Sequence, residues 1–265
     1  MDTKAFLRRH WNRLLVVALS VVIAFLALSG SLDRKGRTAV DASFDQALVV
    51  FGTAKALNAV ISVAQGTEVG PPGVTVAVGE VLDPVNDLVE RFSWIMLASI
   101  TSLGIQTIFM NIVTDGLFNA LFLVFVAGYN LWLFFRFGRD EKARTLFFKL
   151  TVVMVFLRFS VPLMAVADEL VYAHFVERQY NIVELERGIT TISDDIGNFR
   201  QSGYRLFDSD YYAEQVERYK TQANEAGDRI VRLIIAFVFR TIVFPLLFLF
   251  LLYKLVLRVF DLGRG

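Results

Sequence analysis

The chain has 265 residues, 55% of them hydrophobic and 14% aromatic, and a formal net charge of +1 at pH 7. A balance this close to neutral excludes the basic field of a nucleic-acid-binding protein. There is no cysteine, and the two histidines, His10 and His174, lie far apart in sequence, which excludes disulfides, cysteine-held metal centres, thiol catalysis and a histidine metal cluster; no metal and no cofactor is expected.

The apolar residues come in long blocks, the pattern of membrane helices. The first, LLVVALSVVIAFLALSG, follows Lys4, Arg8, Arg9 and Arg13. Residues 1–30 therefore read as a cytoplasmic N-terminus and an uncleaved first anchor. Residues 31–116 read as an external or outer-leaflet helical module. It holds two apolar helices, at 44–66 and 84–113, with a short strand in VTVAV between them. In the first, Lys55, Asn58, Ser62 and Gln65 share one helical face. In the second, Asp83-Pro84 reads as a helix start, with proline at the first position.

Residues 117–167 form a pair of transmembrane helices, LFNALFLVFVAGYNLWLFF and the run around VFLRFSVPLM. Their connection at 136–149 carries five basic and two acidic residues and is cytoplasmic by the positive-inside rule. Residues 168–232 form an external acidic hairpin of two helices, with twelve Asp or Glu against six Lys or Arg over 169–228. Here Asp194-Asp195 and Asp208-Ser209-Asp210 do not match a calcium loop. Residues 233–265 supply the last transmembrane helix and a cytoplasmic C-terminus. The fold expected is all-α, a polytopic membrane protein with four transmembrane helices. Six is the alternative, if both helices of the 31–116 module also cross.

Two spans carry a permanent charge beside a proline: Arg158 with Pro162, and Arg240 with Pro245. Arginine near the middle of a membrane helix costs about 3 kcal/mol on insertion scales. Each proline also frees the carbonyl four residues earlier, that of Arg158 and that of Thr241. These four residues are the candidate intramembrane polar site. Three occupants compete: the freed carbonyls with a carboxylate such as Asp115 or Asp168, a bound anion, or a lipid headgroup or partner carboxylate. Phe44, Phe51, Lys55, Asn58 and Ile61 are the candidate oligomer or partner surface, because an apolar face left in water is costly.

The stretches ALNAVISVAQGTEV and GEVLDPVNDLVERFS resemble a segment of a family of uncharacterised bacterial inner-membrane proteins. The resemblance covers about residues 54–93 and implies that location; it carries no activity and no site residues. HExxH, GxSxG, P-loop and GxGxxG patterns are all absent. The expected function is a non-catalytic assembly or scaffold subunit in the bilayer, self-associating as a homo-oligomer or binding an envelope partner. The alternative is a small channel or carrier with an anion site at the two arginines.

Overall fold

The computed structural model describes residues 3–65, 68–69, 76–135, 141–199 and 209–262. Helices α1 (Thr3–Ser29) and α2 (Ser31–Gln65) precede a two-strand ladder, β1 (Glu68–Val69) antiparallel to β2 (Val76–Ala77). Then come α3 (Val78–Thr114), α4 (Gly116–Phe135), α5 (Glu141–Val171), α6 (Ile182–Phe199), α7 (Ser209–Val238) and α8 (Phe244–Leu262). The protein is helical, as expected, and four stretches are long and apolar enough to cross a membrane: Ser31–Gln65, Leu82–Thr114, Thr145–Val176 and Val216–Phe260. Two of the expected spans, around Leu14–Ser29 and Gly116–Trp132, are shorter apolar helices.

The helix ends have local causes. Gly30 has φ 58°, a left-handed conformation that ends α1 without a steric penalty, and its carbonyl accepts the Arg34 N–H at 2.9 Å as α2 begins. Between α3 and α4 the Asp115 carboxylate caps the new helix by accepting the Leu117 N–H at 2.8 Å. The start expected at Asp83-Pro84 is corrected: α3 begins at Val78 with Pro84 inside it, and Asp83 accepts a bond from Gln65 Nε2 at 2.7 Å. The first helix of the expected hairpin, which the sequence places over ELVYAHFVERQYNIVELE (169–186), is also interrupted. A π-helical turn at Tyr172–Val176 follows α5, and Asn181 Oδ1 then caps α6 through the Glu184 N–H at 3.1 Å. The α7 helix does run into α8, through a π-helical turn at Phe239–Val243.

The chain forms two compact units. The first comprises Met1–Asp41, Ile105–Glu169 and Pro245–Gly265. Its small interior clusters are Ala27, Phe122, Val126 and Phe159, and Val40, Met110 and Ala165. Phe122 and Phe159 meet edge to face at 6.1 Å. Its outer surface is apolar on α1, α3, α4, α5 and α8, with Phe25, Ile108, Val124, Leu146 and Phe250 all exposed.

The second unit, Ala42–Gly104 and Leu170–Phe244, is a bundle with one continuous core. Its buried positions are Ala47, Val50, Ala54, Leu57 and Ile61 on α2, and Leu82, Val85, Val89, Phe92 and Met96 on α3. Ile182, Leu185, Ile189, Ile192 and Ile196 line α6, while Tyr219, Ala223, Ala226, Ile230, Leu233 and Phe237 line α7. On all four helices these positions alternate in steps of three and four, the heptad stripe of helices packed knobs into holes. The opposite faces of α6 carry exposed Glu184, Arg187, Asp194 and Asp195. One apolar stripe of α2 and one of α3 are therefore covered within the chain, while Leu48, Val49, Val63, Trp94 and Leu97 on the same helices stay exposed.

Candidate functional site

In the first unit the side chain of Arg158, on α5, is fully buried and makes four hydrogen bonds to three partners. Nη1 and Nη2 each donate to one oxygen of Asp33, at 2.8 and 2.5 Å. Nε donates to Asn119 Oδ1 at 2.7 Å, and Nη2 also reaches the Ala27 carbonyl at 3.2 Å. The guanidinium lies 5.3 Å from the centre of the Phe159 ring. A planar fork on a planar carboxylate is the strongest form of this ion pair.

The partners come from two interrupted helices. Ala27 belongs to the last turn of α1, and Asp33 to the first turn of α2 beyond Gly30. Asn119 sits in the first turn of α4; its amide donates to the Thr114 carbonyl at the end of α3, at 3.1 Å. Arg158 thus ties the breaks at Gly30 and Asp115 to α5. One turn further, Gly36 packs on α5: a Cβ there would lie 3.1 Å from the Pro162 Cα and carbonyl oxygen and 3.0 Å from Met110. Pro162 is buried, with its backbone forming this seat.

Arg240 belongs to the second unit, with its own partners. It is buried within the π-helical turn, stacks on the Tyr172 ring at 4.2 Å and donates to Gln46 Oε1 at 3.1 Å. Beside it, the Thr241 carbonyl, which the buried Pro245 cannot serve, accepts from Ser102 Oγ at 2.7 Å. The Thr241 hydroxyl meets Ser99 Oγ at 3.0 Å and donates to the Phe237 carbonyl at 2.7 Å.

Two expectations are corrected. The carboxylate on Arg158 is Asp33, not Asp115 or Asp168, because the polar start of α2 packs inside the first unit; Asp115 is engaged as a helix cap. Each arginine has its own set of partners: Asp33, Asn119 and the Ala27 carbonyl for Arg158, and Gln46 and the Tyr172 ring for Arg240. Ile61 is 0% exposed, interior rather than a surface, and Phe44 and Phe51 are partly buried against the same core of the second unit. Lys55 does face outward, 5.5 Å from the Phe51 ring, and Asn58 is half-buried with its carbonyl accepting Ser62 Oγ at 2.8 Å. Asp194 and Asp195 are exposed on α6, whereas Asp208 lies outside the described residues. Sequence reasoning missed Asp33 and Asn119. Their signal was Gly30 and the Asp115-Gly116 pair, helix interruptions flanking apolar runs.

A hollow of about 430 Å³ in the second unit is lined by Arg178, Arg229 and Arg232 against Glu184, Glu225 and Asp228, so its charges balance. With four helices of membrane-crossing length and composition, the chain is a membrane protein. Comparison with family models, with curated proteins and with solved structures gives no match.

Proposed function

We propose that the first unit is the bilayer-embedded part of a non-catalytic scaffold or assembly subunit, rather than an anion channel or carrier. The observation that carries this reading is the pairing of the Arg158 charge with Asp33, with Asn119 and the Ala27 carbonyl as further acceptors. A guanidinium so compensated offers a passing anion little attraction, and its energetic role is to hold α1, α2, α4 and α5 together.

The membrane assignment rests on the exposed apolar belt of the first unit. The 20 residues of α4 rise about 30 Å at 1.5 Å per residue, the thickness of a bilayer's hydrocarbon layer. On this reading the chain crosses four times, through α1, α4, α5 and α8, whereas α2 and α3, although of crossing length, place most of their residues in the second unit, around its core, and do not cross. Lys142, Lys254 and Arg258 are exposed at one end, which the positive-inside rule makes cytoplasmic along with both termini. The sequence resemblance supports a bacterial inner membrane. Phe44, Phe51 and Ile61, on which self-association was expected, pack within the chain, which leaves for a partner exposed Leu48, Trp94 and Leu97 beside Lys55 and the charged outer faces of α6 and α7, suited to a second copy or an envelope protein.

The interruptions at Gly30 and Asp115 are what favours transport, since broken helices line many carrier sites. Flux separates the two readings. Proteoliposomes carrying the chain should leak chloride or phosphate no faster than empty ones, and an anion flux that Arg158→Leu abolishes would establish the carrier instead.

A further inference from the structure

The exposed surface of the first unit is apolar along its helices and charged at two places. One is the end bearing Lys142, Lys254 and Arg258. The other is the start of α2, where Arg34, Lys35 and Arg37 are all exposed within four positions. The two lie apart along α4. Asn119 bonds to Arg158 near the second place, whereas Trp132 stacks on Phe147 toward the first. Those 13 residues of helix span about 20 Å.

The cations on α2 lack compensating charge. Asp33, the neighbouring acid, is committed to Arg158. Arg34 and Lys35 make no ion pair among the described residues. Asp41 lies one turn beyond Arg37, yet the Arg37 guanidinium turns away to α3. There it donates to Asn111 Oδ1 at 2.6 Å and to Thr114 Oγ1 at 2.9 Å. Both acceptors are neutral, so the fork is held in one orientation with its charge intact and N–H groups to spare. Exposed Leu28, Ile112 and Leu117, each on a helix segment ending or starting here, offer apolar surface beside the charges.

We propose that Arg34, Lys35 and Arg37 bind the phosphate headgroup of an anionic phospholipid whose acyl chains lie on Leu28, Ile112 and Leu117. The proposal rests on the membrane reading of the first unit. The chemistry is a guanidinium fork and an ammonium on phosphate oxygens, and the adjoining apolar surface selects a lipid over free phosphate. Basic groups near a membrane surface attract anionic lipid additively, so all three side chains contribute.

The test uses the full chain in nanodiscs of phosphatidylcholine doped with phosphatidylglycerol. Native mass spectrometry counts the phosphatidylglycerol retained after release. The wild type should retain it, Arg34→Gln/Lys35→Gln should weaken retention about tenfold, and adding Arg37→Gln should abolish it. Lys142→Gln/Lys254→Gln/Arg258→Gln, at the other end, should leave this retained lipid in place. Equal retention by the wild type and the α2 variants refutes the site, and displacement of the lipid by millimolar inorganic phosphate reassigns it to free phosphate. Failure of the wild type to enter nanodiscs would instead sink the membrane reading itself.

Discussion

Arg158 and Asp33 stand 125 positions apart in sequence and meet through two parallel bonds of 2.8 and 2.5 Å. Removing one partner strands the other in a buried site, which typically costs about 3–5 kcal/mol, whereas an apolar pair of similar size is often neutral. Arg158→Leu and Asp33→Leu should each lower the unfolding temperature in detergent sharply, and the double variant should recover most of the loss. A double variant no better than the worse single one would show that Asn119 and Ala27, rather than Asp33, carry the dependence.

Gly36 sets how closely α2 approaches α5. A Cβ at this position meets Pro162 backbone at 3.1 Å, and backbone yields less readily than a side-chain tip. Gly36→Ala should cost a few tenths of a degree to a few degrees of melting temperature, while Gly36→Leu forces overpacking worth about 1–3 kcal/mol. Equal melting of Gly36→Leu and the wild type would contradict the packing of α2 on Pro162.

Ile61 is sealed in the second unit's core, and Ile61→Ala should destabilise that unit by about 2–5 kcal/mol. The effect should appear as faster proteolysis within α6 and α7, while α1, α4 and α5 still insert. Unchanged protease resistance with a lower oligomer mass would return Ile61 to a surface between copies.

Ser102 supplies the hydrogen bond that Pro245 withholds from the Thr241 carbonyl. Ser102→Ala leaves that buried acceptor unsatisfied, at about 1–3 kcal/mol. Adding Pro245→Ala restores a backbone N–H and should return part of the loss. If the second substitution lowers stability further, the proline is there for the bend of the chain rather than tolerated because of Ser102.

The chain lacks cysteine, so single cysteines report sidedness cleanly. Lys142 and Asp195 are both exposed. An impermeant thiol reagent applied to intact cells should label Cys substituted for Asp195, and should label Cys substituted for Lys142 only after permeabilisation. Labelling of both from the outside would require a different number of crossings; the loop position Gly73, which tests the six-crossing alternative directly, lies outside the described residues.

Much of this architecture was legible. The three-and-four spacing of Ala47 through Ile61 and of Ile182 through Ile196 stands in the sequence, and so does the charge on the reverse of α6. Which stripe covers which was not legible, because periodicity identifies a face and says nothing of its partner. The apolar faces of α2 and α3 accordingly looked as if they needed another subunit. Asp33 was hidden for a related reason: in SLDRKGR it sits among exposed cations and reads as solvent-facing loop. Only the packing of α2 on α5 turns it inward. The freed carbonyl of Thr241 was legible from Pro245, since it follows from covalent structure alone; Ser102 as its donor, 139 positions away, was not.

The pairing of distant stripes also has a consequence in time. Thr53 on α2 bonds to Glu186 on α6, 133 positions later. At about 5–20 residues per second of synthesis, the intervening chain takes roughly 7 to 27 s to emerge. Leu57 and Ile61 are made at the start of that interval and Phe92 and Met96 about 40 residues into it, and all four wait for the α6 and α7 side of their core. The nascent chain must keep these two sticky helices from misassociating until α6 and α7 arrive, so any shortage of cellular holding factors should strike this protein before α7 is translated.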